Sequence, residues 1–179
     1  MIEQQDDGSD ARGAGRTAAL LAARGETLAV AESSTGGLIM SLLTDIPGAS
    51  AWLSGGVVAY TNKVKQDLLG LSADALAAHG AVSLETARAM ARGGARLFGS
   101  TWALAETGVA GPRGSRRSAK AIGVTYLTLI GTPAAGPVER TMIYEAPDPD
   151  DRVAVKRAFA AAAFGLLIDV LDGVSPMRS

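Results

Sequence analysis

Residues 27–37 read Thr27-Leu-Ala-Val-Ala-Glu32-Ser33-Ser34-Thr35-Gly36-Gly37. The short apolar run Thr27–Glu32 reads as a buried strand. A helix is expected from Gly36 to Thr44, ending before Pro47-Gly48. Between them lie three hydroxyls and two glycines. At a helix N-terminus such a segment offers nucleophile candidates and backbone N–H groups suited to an oxyanion or a phosphate. The same residues also serve as ordinary caps, because Ser and Thr are favoured N-cap residues and glycines make tight turns. From this segment alone both readings stay open.

The rest of the chain reads outward from this strand–loop–helix unit, with no internal repeat. Before it, Arg12–Arg24 has helical spacing and ends at Gly25, a good C′ residue. After it, Gly55–Tyr60 reads as a second strand, and Asn62 is a candidate cap for a helix to Leu69. A short helix follows over Ser72–Ala78, then a longer one capped by Ser83 and running through Phe98. Trp102–Glu106 reads as a third strand. Ile122–Ile130 and Val138–Tyr144 read as a hairpin about the Gly131–Gly136 turn. Asp148-Pro149-Asp150-Asp151 is an acidic start for a last helix to about Leu171. This order predicts an α/β three-layer sandwich: a mixed, mostly parallel sheet with an antiparallel edge and helices on both faces. Residues 1–12, polar and acidic, read as a disordered tail, and 13–175 as one domain.

Composition narrows the chemistry. The chain of 179 residues is 47% apolar, enough for one core. It has no cysteine, so disulfides, thiolate zinc sites and cysteine nucleophiles are excluded. Its one histidine, His79, sits at a predicted helix C-terminus and is not expected to be catalytic. No Asp/Glu cluster has metal-ligand spacing, so no metal and no cofactor are expected. A net charge of −1 gives no reason to expect nucleic acid or an anionic membrane as partner. No apolar run approaches bilayer length, and the start MIEQQDDGSDARGAG lacks a signal peptide's apolar region. A cytoplasmic protein is expected, forming a homo-oligomer and taking a small-molecule substrate.

Two further loops follow strands. In Tyr60-Thr61-Asn62-Lys63-Val64-Lys65, a Lys65 at the third helical position would oppose the helix dipole, which lowers an amine's pKa, as burial does. A neutral amine near a serine is a workable general base. The plain alternative is a solvated surface lysine, and Tyr60 is then just an aromatic at a strand end. Thr107-Gly108-Val109-Ala110-Gly111-Pro112 has small residues that let backbone approach a ligand. Arg113, Arg116, Arg117 and Lys120 then form a cationic run, fit for an acidic group or for solvent. In open α/β sheets ligands sit beyond the carboxyl ends of strands. The three loops meet only if their strands are co-directional neighbours.

In this order the segments resemble the CinA C-terminal family, which carries Ala-Glu-Ser-Cys-Thr-Gly-Gly, a Tyr-Ser-Asn-x-x-Lys helix start, Ala-Val-Ser, and Thr-Gly-Ile-Ala-Gly-Pro. The chain has AESSTGG at 31–37, YTNKVK at 60–65, AVS at 81–83 and TGVAGP at 107–112. The resemblance implies an amidohydrolase that deamidates nicotinamide mononucleotide to nicotinate mononucleotide with release of ammonia. It implies Ser33 as nucleophile, Lys65 as its base and Tyr60 beside them. Substrate contacts would come from Ser34, Thr35, Gly36, Gly37, Glu106, Thr107, Gly108, Gly111, Arg113 and Lys120. Ser34 replaces the family's usual Cys, and Glu106 stands where many relatives carry an apolar or small residue. The loop after Pro112 reads RGSRRSAKAIG, basic and one residue longer than the usual Gly-Gly-x-x-x-Lys-Pro-Val-Gly. Lys120 and Gly123 match, and Ala121 replaces Pro. The molybdopterin-type domain of larger family proteins is not in this chain, so no pyrophosphatase activity is expected. The runner-up reading is a non-catalytic or differently specific relative that binds nucleotide or a partner, in a competence or DNA-damage setting. A Rossmann-type dinucleotide enzyme ranks lowest, because no GxGxxG follows a strand.

Overall fold

A computed structural model of the chain describes residues 9–111 and 120–173. The elements run α1 (Ser9–Arg24), β1 (Leu28–Glu32), α2 (Leu38–Thr44), a 3-10 turn (Ala49–Ala51), β2 (Leu53–Val58), α3 (Asn62–Asp67), α4 (Ala73–His79), α5 (Leu84–Phe98), β3 (Trp102–Val109), β4 (Val124–Gly131), β5 (Val138–Glu145) and α6 (Arg152–Gly173). One five-stranded sheet has the order β2-β1-β3-β4-β5. β1 is parallel to both β2 and β3, while β4 and β5 pair antiparallel. The α/β architecture with a mixed sheet is as expected. The antiparallel part takes in two of the four pairings, because the β4–β5 hairpin folds back directly onto β3.

Strand alternation explains the layering. In β1, Leu28 and Val30 face one side and Ala31 the other; in β3, Trp102 and Leu104 oppose Ala105. The bulky face packs on α1, α2 and α6 through Ala18, Leu21, Ile39, Leu43, Phe164 and Leu167. The alanine face receives α5 through Met90 and Ala91. Small residues on both sides let this helix lie close: a Cβ on Gly94 would sit 3.7 Å from that of Ala31. Trp102 pairs with Gly131 across β3–β4 and its ring fills the space a side chain there would need. Its indole N–H donates to Glu26 Oε2 at 2.7 Å, so the buried ring leaves no orphan donor. No helix among the described residues is long and apolar enough to cross a membrane.

Several boundaries differ from the sequence reading. α1 begins at Ser9, so residues 9–12 are helical rather than part of a tail; residues 1–8 lie outside the described residues. Ala11 and Arg12 are good helix formers, and the helix they extend is anchored by Gly13 and Ala14 packing on α6. Thr61, not Asn62, caps α3, accepting from the Val64 N–H at 3.3 Å. β3 runs to Val109, three residues further than expected, because β4 pairs along its whole length.

The glycines of these helices give opposed predictions. A Cβ on Gly93 would overlap the Leu69 carbonyl, whereas one on Gly15 in α1 meets nothing within 4 Å. Gly93→Ala is expected to lower stability by about 1–3 kcal/mol through overpacking. Gly15→Ala is expected to raise it by up to about 1 kcal/mol through helix propensity. Urea midpoints at constant m-value check both, and a stabilised Gly93→Ala would contradict the packing of α5 on the α3–α4 connection.

Candidate active site

The β2-β1-β3 order puts three parallel strands side by side, so the segments after Glu32, Val58 and Val109 emerge at one edge of the sheet. Register carries this further: Ala31 pairs with Ala105, which brings Glu32 and Glu106 to adjacent positions on the α6-facing side. Both carboxylates are fully buried. Glu32 accepts the backbone N–H groups of Gly37 (2.8 Å), Ile39 (3.2 Å) and Met40 (2.8 Å). It therefore satisfies the orphan donors of α2 and meets the positive end of its dipole. The bland reading of the hydroxyl segment as a helix cap fails here. Gly37 is the N-cap residue, makes no side-chain cap, and the capping oxygens are those of Glu32.

The segment 33–37 is left free to turn over the sheet edge, with Gly36 and Gly37 at φ 66° and 97°, where other residues are strained. Ser33 N–H donates to Glu106 Oε2 at 3.1 Å, Thr35 N–H at 3.1 Å and Thr35 Oγ1 at 3.0 Å. Glu106 Oε1 accepts from Ser34 Oγ and from Thr125 Oγ1. The Ser33 hydroxyl is thereby turned to the opposite side, toward α3. Lys65, fully buried on that helix, donates from Nζ to Ser33 Oγ at 2.9 Å and to the Ala59 carbonyl. Burial lowers its pKa from 10.5 to about 8, against the Glu106 charge, which favours the ammonium form. Of the two causes expected from the sequence, helix dipole and burial, burial is the one that dominates. The Ser34 and Gly36 backbone N–H groups make no hydrogen bond to another described residue.

The other expected site residues separate into groups. Tyr60 is 62% exposed just beyond β2 and makes no hydrogen bond to Ser33 or Lys65 among the described residues. Glu106 turns inward, its oxygens bonded to residues 33–35 and to Thr125. Thr107 Oγ1 donates to the Ala81 carbonyl at 2.8 Å. Gly108 lies within β3, where a Cβ would collide with Val124 and Thr125 of β4; its smallness serves strand packing. Gly111 turns with φ 83° and its carbonyl accepts from the Arg152 guanidinium. Lys120 lies over the Tyr126 ring, Nζ 5.9 Å from its centroid. Arg113 lies outside the described residues. His79 ends α4 in an exposed position.

Sequence reasoning missed two cations on α6. Arg152 and Lys156, four residues apart, lie on one helix face. Lys156 Nζ lies 3.5 Å from where a Cβ of Gly36 would stand, and it has no hydrogen-bond or ion-pair partner among the described residues. The i, i+4 spacing was visible, but nothing local said that α6 would cross the hydroxyl loop. A surface cavity of about 310 Å³, lined by Arg92, Thr101, Ile130 and Val138, is at the other end of β3 and β4, away from Ser33. Among the described residues no three His, Asp or Glu side chains are grouped to hold a metal ion.

Comparison with known proteins places the chain in a family. A CinA-like protein of Anaeromyxobacter sp. is 46% identical over 149 residues, covering 83% of this chain and 35% of its own length. A competence-damage inducible protein of Desulforamulus reducens is 58% identical over 105 residues, covering 59% of this chain and 25% of its own. The chain thus spans about a third or less of these relatives. In fold, it is similar to a CinA superfamily protein of Klebsiella pneumoniae (TM-score 0.83, 28% identity, 92% of this chain and 99% of that one). It is also similar to the competence/damage inducible protein CihA of Agrobacterium tumefaciens (TM-score 0.79, 35% identity, 92% and 96%). The profile of the CinA C-terminal domain matches residues 11–171, and the chain belongs to that family.

Proposed function

We propose that the chain is a serine amidohydrolase that converts nicotinamide mononucleotide to nicotinate mononucleotide and ammonia. The observation that carries this reading is the 2.9 Å contact between the Ser33 hydroxyl and the buried Lys65 amine. As a free amine, Lys65 donates one N–H to the Ala59 carbonyl and accepts the Ser33 proton as Oγ attacks the amide carbon. The tetrahedral oxyanion is met by the Ser34 and Gly36 N–H groups, which have no partner among the described residues. On collapse the C–N bond breaks, the proton passes from Lys65 to the leaving nitrogen, and ammonia departs. Water then hydrolyses the Ser33 ester by the same base, giving the carboxylate. Lys156, beside Gly36, supplies a cation for the phosphate.

With a pKa of about 8, roughly a tenth of Lys65 is the free base at pH 7. The kcat/KM for ammonia release should therefore rise about tenfold per pH unit below pH 8 and level off above it. The assay compares nicotinamide mononucleotide with nicotinamide riboside and other amidated pyridine nucleotides. Ammonia from none of them would end the amidase reading. Ser33→Ala and Lys65→Met should each abolish turnover, with the double variant no worse than either, because both disable one step. An additive double loss would mean the two do not act together.

Stability distinguishes a catalytic from a structural lysine. The folded pKa of Lys65 lies below the unfolded value, so the unfolded chain binds more protons between about pH 8 and 10.5. Its contribution to stability therefore rises with pH through that window, and below it the buried ammonium is a cost of about 3 kcal/mol. Lys65→Met keeps the volume and removes that cost. The variant should be more stable than wild type at pH 7, with the difference shrinking by about 2 kcal/mol at pH 10. A Lys65→Met protein less stable than wild type at pH 7, with activity kept, would make Lys65 a structural residue.

A further inference from the structure

Glu106 is fully buried, at the end of the central strand β3, and its two oxygens receive five hydrogen bonds. Four come from the three consecutive residues of the nucleophile segment and one from β4. An apolar side chain at this position would leave the buried Ser33 and Thr35 N–H groups and the hydroxyls of Ser34, Thr35 and Thr125 without this acceptor. Ser34 and Glu106 are both positions where the chain departs from the residue usual in the family it resembles, and they bond to each other.

We propose that Glu106 is a positioning residue for the Ser33–Lys65 pair: from beneath, its carboxylate clamps residues 33–35 so that the Ser33 hydroxyl faces the Lys65 amine. The inference rests on the Ser33–Lys65 reading but not on the identity of the amide. Glu106 touches no substrate, since it has no exposed surface and its acceptors are occupied. Holding Ser33 N–H and both hydroxyl neighbours on one side leaves Ser33 Oγ only the α3 side. The clamp also brings a negative charge near Lys65, favouring its ammonium form against burial. Other charged groups nearby are engaged elsewhere or face outward. Glu32 caps α2, Lys63 pairs with Asp67 on the exposed side of α3, and Lys156 lies over Gly36.

The test needs no substrate. Lys65 is titrated by carbon-13 NMR of its Cε in lysine-labelled protein, and Ser33 reactivity is read as the rate of phosphonylation by a fluorophosphonate. In Glu106→Gln the Lys65 midpoint should move to lower pH, because a favouring charge is gone. Ser33 labelling at pH 9.5, where Lys65 is free base in both proteins, should slow at least tenfold. Glu106→Asp keeps the charge at shorter reach and should hold the midpoint near wild type while still slowing labelling. If Glu106→Gln does not fold, Ser34→Ala and Thr125→Val, each deleting one bond of the clamp, should slow labelling severalfold with the midpoint unmoved. Wild-type labelling in Glu106→Gln, or slow labelling there with an unmoved midpoint, overturns the proposal, as does wild-type labelling in both single-bond variants. A wild-type protein that labels at Ser33 yet releases no ammonia from any amide contradicts the amidase reading alone.

Discussion

The segment from Ser33 to Met40 crosses the edge of the sheet with backbone donors that neither a strand nor a completed helix can take up. Buried donors must find acceptors, and here two carboxylates from neighbouring parallel strands supply them. Glu32 takes the N–H groups at 37, 39 and 40; Glu106 takes those at 33 and 35. The two lie adjacent because β1 and β3 pair in register at Ala31 and Ala105. Once this division is made, the Ser33 hydroxyl has one direction left, and the strand on the other side of β1 leads into the helix that carries Lys65. The chemistry of the site is thus a consequence of strand order and of which buried polar groups need partners.

The same arrangement explains how a lysine is tolerated in the core. An ammonium buried without a full set of acceptors is unfavourable, and among the described residues Lys65 has only the Ala59 carbonyl and the Ser33 hydroxyl. Relief comes through a lowered pKa, which gives a residue its value as a base near neutral pH. Glu106 opposes that shift. The balance between burial and this one charge sets how much free amine is present. The positive end of α2 is already taken by Glu32.

Much of this was legible in the sequence, and the part that was not has a physical reason. Element order marked the layers, because an alternation of strands and helices leaves few ways to bury their apolar faces. Three strand-terminal loops with hydroxyls, a lysine and glycines marked a candidate site, and the resemblance in their order named Ser33 and Lys65. The roles of Glu32 and Glu106 were not legible. A carboxylate at a strand end looks alike whether it caps a helix, clamps a loop or meets substrate, and only the β1–β3 register decides. Gly108 misled for a similar reason: its smallness serves β4, a neighbour known only after folding. Lys156 lies more than a hundred residues from the loop it covers, and no local pattern connects them.

Family membership leaves the reaction to be established, and the chain spans about a third or less of the curated relatives it matches. The central claim is that Ser33, activated by Lys65, attacks an amide. It is met most directly by acid-quenching the protein during turnover of nicotinamide mononucleotide and mapping the adduct by peptide fragmentation. The account predicts the substrate's acyl group, less ammonia, as an ester on Ser33. An acyl group on Ser34 or elsewhere, or steady turnover in a Ser33→Ala protein, would contradict it.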